Sequence, residues 1–320
     1  MNIRTALTAS ACLCAVSLLY AQDYPVKSIR MVVPFPAGGG SDTVARVLAQ
    51  RLSVSLGQTM VADNRAGASG NIAAEIVAKA PADGYTLLFG NSSLSISPAV
   101  YTKLSFDPVR DLVPVSMVSS YPFVLVAHPS LPVKNVRDLI AMAKARPGVL
   151  TFSTAGAGTM SHFAMELFQL LTQTKLTHLP YKGAAPAGIA VMSGEAHVSF
   201  LVMPVAQAQI RVNRLRGLGV AAKTRAPVIP QVPTMEEAGV QGHIALQWNG
   251  LFAPAATPRA IIDKLHRETV AALANGEVKQ RLADEGAEAV GSSPAEFAAF
   301  FRSEAAKWGD VARRSGTKLD

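Results

Sequence analysis

An apolar strand, a glycine-dense turn and an amphipathic helix follow one another twice in this chain, around Gly38 and around Gly156, and that order admits few architectures. In the first copy residues 29–33 are apolar apart from Arg30, Pro34 and Pro36 end the strand, and Gly38, Gly39 and Gly40 form a turn that no side chain obstructs. Ser41 and Asp42 then open a helix whose Val44, Val47, Leu48 and Leu52 share one face. In the second copy residues 150–152 form the strand, Ser153 to Thr159 the turn, and a helix from Ser161 carries Phe163, Leu167, Leu170 and Leu171 on one face. A helix start behind such a turn presents backbone N–H groups and the positive end of a dipole, an anion site that needs no cationic side chain. A tight turn that merely needs glycine gives the same pattern, and both readings stay open at this point.

Strands are expected at 60–62 and 85–89 with a helix at 71–79 between them, so strand and helix alternate. That alternation predicts an α/β fold, a parallel sheet flanked by helices. Ligands of such sheets sit beyond the carboxyl ends of the strands, where the loops 35–42 and 90–93 fall. Residues 101–114 read as loop, 121–127 as strand and 136–145 as helix. Further strands are expected at 176–179, 198–202, 215–221 and 246–252, with helices at 186–192 and from 203 to about 212. The tail from 258 to 313 reads as helix broken near 275 and 291–294, and is assigned to packing.

Composition narrows the function. The 320 residues are 49% hydrophobic and 16% charged, which describes a globular chain of one large or two medium domains. Arg4, an apolar run over 6–19 and the small Ala21 read as a secretory signal peptide over 1–21. Both cysteines, Cys12 and Cys14, fall inside it, so the exported chain is expected to lack disulfides, cysteine-ligated zinc and thiol chemistry. Neither cysteine has the context of a lipid anchor, and no later run is long enough to span a membrane. The net charge of +8 is spread along the chain, which argues against nucleic acid and favours small anions arriving by diffusion.

Signatures of catalysis are weak. Gly156-Ala157-Gly158-Thr159-Met160-Ser161 nearly fits a dinucleotide fingerprint, but the ribose-binding acid about twenty residues on is missing. There is no phosphate-loop lysine motif, and Gly67-Ala68-Ser69-Gly70 is one residue short of a nucleophile elbow. The six histidines show no metal spacing, so neither metal nor cofactor is expected. Only His162, in the first turn after the second glycine-rich loop, is placed to donate to a ligand or cap a carbonyl. Asp42 reads as a first-turn acid favoured by the helix dipole.

A series of motifs carries a resemblance. Tyr24-Pro25, Val33-Pro34-Phe35-Pro36-Ala37-Gly38-Gly39, Asn64-Arg65-Ala66-Gly67-Ala68-Ser69-Gly70-Asn71, Asp83-Gly84-Tyr85-Thr86-Leu87-Leu88, Pro180-Tyr181-Lys182-Gly183, Pro233-Thr234-Met235-Glu236-Glu237-Ala238-Gly239 and Trp248-Asn249-Gly250-Leu251-Phe252-Ala253-Pro254 occur in this order. The chain resembles the tripartite tricarboxylate transporter receptors, the Bug family of periplasmic solute-binding proteins. The resemblance implies a two-lobed type II periplasmic binding fold, each lobe a central sheet flanked by helices, with 22–123 plus 247–320 as one lobe and 124–246 as the other. It implies no enzyme, but a monomeric periplasmic receptor that closes on a small organic carboxylate and serves an integral-membrane permease. The carboxylate would lie between Ala37, Gly38, Gly39, Ser41 and Asp42 on one side and Thr154, Ala155, Gly156, Gly158, Ser161 and His162 on the other. Phe35, Ser92, Ser93, Tyr181, Leu201, Met203 and Trp248 are the candidate walls. Many relatives carry aspartates where this chain has His197 and Leu201, which disfavours amino-acid ligands and favours a carboxylate with an apolar or aromatic body. The rival readings are an exported esterase-like hydrolase using Ser93 or Ser161, and a solute sensor with the same pocket but no transport role.

Overall fold

The computed structural model of the chain describes residues 24–37, 40–284 and 286–319. The expected signal peptide, Gly38 and Gly39 lie outside the described residues.

The first three strands, β1 (Ile29–Val33), β2 (Met60–Asn64) and β3 (Thr86–Asn91), pair in parallel with β1 in the middle. The helices α1 (Gly40–Leu56) and α2 (Asn71–Ala78) connect them. Val44, Ala45, Leu48, Ala49 and Leu52 of α1 are buried, the face that the sequence periodicity marks. A 3-10 turn (Ser92–Ser95) and the short α3 (Ser97–Val100) follow β3, where the sequence suggested only a polar loop.

The strand β4 (Leu112–Ala127) joins the two halves of the molecule. Its first part, Leu112 to Pro122, runs antiparallel to β9 (Leu246–Pro254), which itself lies antiparallel to β3. Its last part, Phe123 to Ala127, pairs with β7 (Val198–Val202) on one edge and β8 (Arg216–Val220) on the other. Sequence reading takes residues 101–114 as loop and starts the strand at Tyr121, so it misses the first half of this 16-residue strand, in which Pro114 cannot donate to a ladder. The chain absorbs Pro114 at a register irregularity and places Pro122 where one sheet hands over to the other.

In the second half, β5 (Thr151–Thr154) lies parallel to β6 (Thr177–Pro180) and to β7, so the parallel arrangement returns there. Its helices are α4 (Val136–Ala145), α5 (Met160–Thr172), α6 (Ala184–Met192) and α7 (Met203–Arg211). The strand order across both halves is β2-β1-β3-β9-β4-β7-β5-β6. The tail forms α8 (Arg259–Ala274) and α9 (Gly276–Asp284), a two-residue strand β10 (Glu288–Ala289) paired with β4, and α10 (Pro294–Ser315).

Helix α10 packs on both halves. Phe297 and Phe301 bury themselves with Val32, Leu88, Trp248 and Phe252 of the first sheet. Farther along, Trp308, Val311 and Ala312 join Phe123, Phe163 and Phe200 of the second. A Cβ on Gly250 of β9 would overlap the Phe297 ring, so this glycine is what lets α10 settle against the strand.

Candidate functional site

Between the two halves lies a cavity of about 780 Å³. Phe35, Pro36, Ala37, Ser41, Thr43, Asn91, Ser93, Tyr121 and Gln247 line it from the first half. Phe123 lines it at the hand-over in β4, and Ala155, Thr159, Met160, Ser161, Phe200, Leu201, Val202, Pro204 and Val205 line it from the second, with Lys182 to Pro186 at the side. The loops after the parallel strands β1, β3 and β5 therefore meet here, as strand polarity requires. Hydroxyls and amides supply one set of walls, and the rings of Phe35, Phe123 and Phe200 with Leu201 and Val205 supply the other. Among the described residues, Lys182 and Asp284 are the charged side chains that line it.

Of the residues the sequence put forward, Ala37, Ser41, Ala155, Ser161, Phe35, Ser93 and Leu201 line this cavity. Ser41 donates to Asn249 Oδ1 at 3.1 Å, and Asn249 in turn donates to Ser119, so the start of α1 is tied to β9 and β4. Ser161 Oγ accepts the N–H of Ala155 at 3.0 Å and lies 3.0 Å from Thr159 Oγ1. Thr159 spends its proton on Gly156 O at 2.6 Å, which leaves Ser161 as the donor between the two hydroxyls.

Asp42, Thr154, Gly156, Gly158 and His162 do not line the cavity, and each has a structural occupation instead. Asp42 is 2% exposed and accepts from Asn64 Nδ2 at 2.8 Å and Arg46 Nε at 2.9 Å. Asn64 Nδ2 also donates to Phe35 O at 2.9 Å, so the acid anchors the first loop. Thr154 Oγ1 takes the Gly156 N–H at 3.3 Å and contacts His178 Nε2 at 2.7 Å. Gly158 adopts φ +74° and donates to His162 Nδ1 at 3.3 Å. The turn's N–H groups at Ala155, Gly156 and Gly158 are thus already paired within the turn, contrary to the expectation of a row of open amides.

Among the candidate walls, Ser92, Tyr181, Met203 and Trp248 lie outside the cavity lining. Trp248 is fully buried edge-on to Phe297 at 5.5 Å, because side chains alternate along β9 and its neighbour Gln247 takes the cavity side. Ser92 is buried behind that glutamine and donates to its Oε1 at 3.0 Å. Met203 is buried where α7 meets the residues around Gly286. Tyr181 hydrogen-bonds Glu195, which pushes its phenol up to about 12. Of His197 and Leu201, only Leu201 reaches the cavity. His197 sits at the far end of β7 with Nδ1 on the N–H and hydroxyl of Thr151.

Sequence reasoning missed Thr43, Asn91, Tyr121, Gln247, Lys182 and Phe200. Asn91 and Gln247 flank motifs already noted, but period-two alternation read against a known sheet is what assigns them to the cavity side. Ser161, the hydroxyl that a hydrolase would need, contacts an amide and a hydroxyl and no imidazole among the described residues. Burial pushes two other imidazoles down, His178 to about 3 with His162 adding to the effect, and His243 to about 4. On the cavity flanks the halves also touch directly. Ser69 Oγ donates to Ala157 O at 2.7 Å, and Gln207 Nε2 donates to Asp284 O at 2.9 Å.

Known proteins resemble this chain over most of its length. Residues 44–317 match the model of the tripartite tricarboxylate transporter family receptor. Protein BugT of Bordetella pertussis is 40% identical over 301 residues, covering 93% of this chain and 92% of BugT. The structure of R. palustris Rpa4515 with adipate superposes with a TM-score of 0.85 at 36% identity, covering 92% of this chain and all of that one. MatC (Rpa3494) from Rhodopseudomonas palustris with bound malate gives 0.84 at 33%, covering 90% and 99%. The chain therefore belongs to the tripartite tricarboxylate transporter receptors, the Bug family of two-lobed periplasmic solute-binding proteins, which are receptors rather than enzymes.

Proposed function

We propose that this receptor holds a small organic carboxylate with an apolar or aromatic body in the cavity between its lobes and delivers it to an integral-membrane permease. The lobes divide at the hand-over in β4, with 22–123 plus 247–320 on one side and 124–246 on the other. The protein acts as a monomer in the periplasm after export through the 1–21 segment. The observation that carries the reading is the split character of one cavity. Ser41, Thr43, Asn91, Ser93, Thr159 and Ser161 offer hydrogen-bonding groups at the helix starts, and Phe35, Phe123, Phe200 and Leu201 offer apolar walls. A carboxylate at a helix start gains from the dipole, and a hydrogen bond to a charged group contributes about 1.5–3 kcal/mol. Leu201 leaves the ammonium of an amino acid without the acid that many relatives place at that position. The relatives with adipate and malate bound support a carboxylate ligand.

Thermal unfolding with benzoate-like acids, adipate, malate, aspartate and glutamate tests the proposal. A ligand at about a hundred times its Kd stabilises the native state by about 2.7 kcal/mol, a readily measured shift. Stabilisation by apolar carboxylates is expected. Tight aspartate or glutamate binding with no response to benzoate-like acids overturns the ligand class, and ester turnover overturns the receptor role.

A further inference from the structure

Behind the second glycine-rich turn, on the side away from the cavity, two imidazoles stack. His162 in the first turn of α5 and His178 on β6 have ring centroids 4.0 Å apart and planes 10° from parallel. Phe152 of β5 lies parallel to His178 at 4.8 Å. His162 is 5% exposed. Both rings are tied to the turn. His178 Nε2 meets Thr154 Oγ1, the oxygen that takes the Gly156 N–H, and His162 Nδ1 takes the Gly158 N–H. The pair thus grips both ends of the segment whose neighbours Ala155, Thr159 and Ser161 line the cavity.

We infer that His162 and His178 are positioning residues for the ligand site, and that a proton taken by His162 Nδ1 releases Gly158 and weakens binding on acidification. The inference rests on the carboxylate reading above for its effect on affinity, but not for its effect on the turn. A ring nitrogen accepts an N–H only while it is unprotonated. Once protonated, Nδ1 sets a second donor against the Gly158 N–H, and the turn must move to separate them. Glu166 faces the other ring nitrogen, with Oε1 3.5 Å from Nε2, and stabilises the cation where it forms. From β6 the facing titratable group is His178, which burial holds neutral. β5 contributes Phe152 and Thr154, neither of them charged. Farther along α5, His243 pairs with Ala164 O, and α10 brings Glu304 and Lys307 alongside Trp308, which packs on Phe163. Beside Gly158 stand Ser69 and the Tyr101 hydroxyl.

Two variants separate positioning from bulk structure. His162→Asn keeps an acceptor where Nδ1 stands but does not titrate, and His162→Gln places its amide near Nε2 and leaves Gly158 without an acceptor at any pH. Amide and imidazole NMR of the purified protein without ligand, from pH 8.0 to 6.0, is expected to show the Gly158 N–H moving in step with the His162 ring. In parallel, calorimetry with benzoate, adipate and malate is expected to show affinity falling as the His162 ring takes its proton, by at most about tenfold, the worth of about one hydrogen bond. His162→Asn should hold the high-pH affinity throughout, and His162→Gln should show the low affinity throughout. A Gly158 amide that ignores the ring titration overturns the inference, whichever variants fold. So does an affinity that is flat or rises on acidification in the unmodified protein, or that falls equally in His162→Asn. If none of the three acids binds at pH 8.0, the proposed ligand class fails and the amide titration still decides the inference.

Discussion

Replacing Asp42 by asparagine distinguishes an anchor from a ligand group. In the folded chain Asp42, Asn64 and Arg46 close a triangle. Asn64 Nδ2 and Arg46 Nε donate to the carboxylate, and Arg46 also donates to Asn64 Oδ1 at 2.8 Å. The Asn64 bond is half-buried and charge-assisted, worth about 1.5–3 kcal/mol. Arg46 is half exposed, so its ion pair adds at most about 1 kcal/mol, and the position in the first turn of α1 adds about 0.3–1 kcal/mol. Asparagine preserves the shape but offers a donor where the carboxylate offers an acceptor, so one of the two donors loses its partner. The expected loss is about 3 kcal/mol, a fall of about 5 °C or more in the unfolding midpoint. Because Asn64 also holds Phe35 O, the cavity wall at Phe35 and Ala37 loosens and carboxylate affinity falls with stability. Scanning calorimetry and titration calorimetry on one preparation read both effects. A variant that keeps its midpoint within 1 °C and binds carboxylates more tightly would refute the anchor, because it would show Asp42 repelling the ligand.

Ser161→Ala should weaken carboxylate binding by about tenfold to a hundredfold, the worth of one hydrogen bond to a charged group, and titration calorimetry reads it. Leu201→Asp should abolish binding of benzoate-like acids and favour ligands that carry an ammonium, checked by the same thermal-shift panel. Stability should fall as pH drops from about 6.5 toward 4. The native pKa values of His178 and His243, about 3 and about 4, lie below the unfolded value of 6.5, so in that window the unfolded chain binds protons that the native chain does not. For the fully buried His243 the loss approaches about 3 kcal/mol, read from urea midpoints at pH 7.5 and 4.5, and a midpoint that rises on acidification contradicts it.

Local signals made most elements legible. The spans of α4 and β7 match their periodicities to the residue, and the second glycine-rich turn falls between β5 and α5 as read. What escaped depended on partners distant in sequence. The length of β4 follows from β9 pairing with it up to Pro122 and β7 pairing with it beyond, which no local window shows. Trp248 in a strand beside Asn249 and Gly250 looks like a cavity wall until the facing Phe297 and Phe301, some fifty residues on, claim its ring. Asp42 reads as a dipole partner from sequence, and only the approach of Asn64 from β2 turns it into an anchor. Most cavity residues in the two glycine-rich loops were found, whereas Gln247 and Phe200, fixed by alternation along their strands, were not.

The pairing of the second turn's amides changes how an anion can be held there. A buried N–H is seldom left without a partner, and the turn satisfies its own at Ala155, Gly156 and Gly158 with Ser161, Thr154 and His162. A carboxylate that captured those amides would have to displace three side chains at once, and the desolvated side chains would then need partners of their own. The less costly contact is at the open end of α5, whose Phe163 N–H makes the helical bond to Thr159 O at 3.1 Å. There the dipole favours negative charge, and Ser161 can turn its proton from Thr159 to the ligand without breaking the Ala155 bond. The turn then acts as a rigid frame whose shape is set from behind, and the hydroxyls in front carry the recognition. On this account, substitutions that reshape the frame lower the affinity for every carboxylate together, and substitutions among Phe35, Phe123, Phe200 and Leu201 change which carboxylate is preferred.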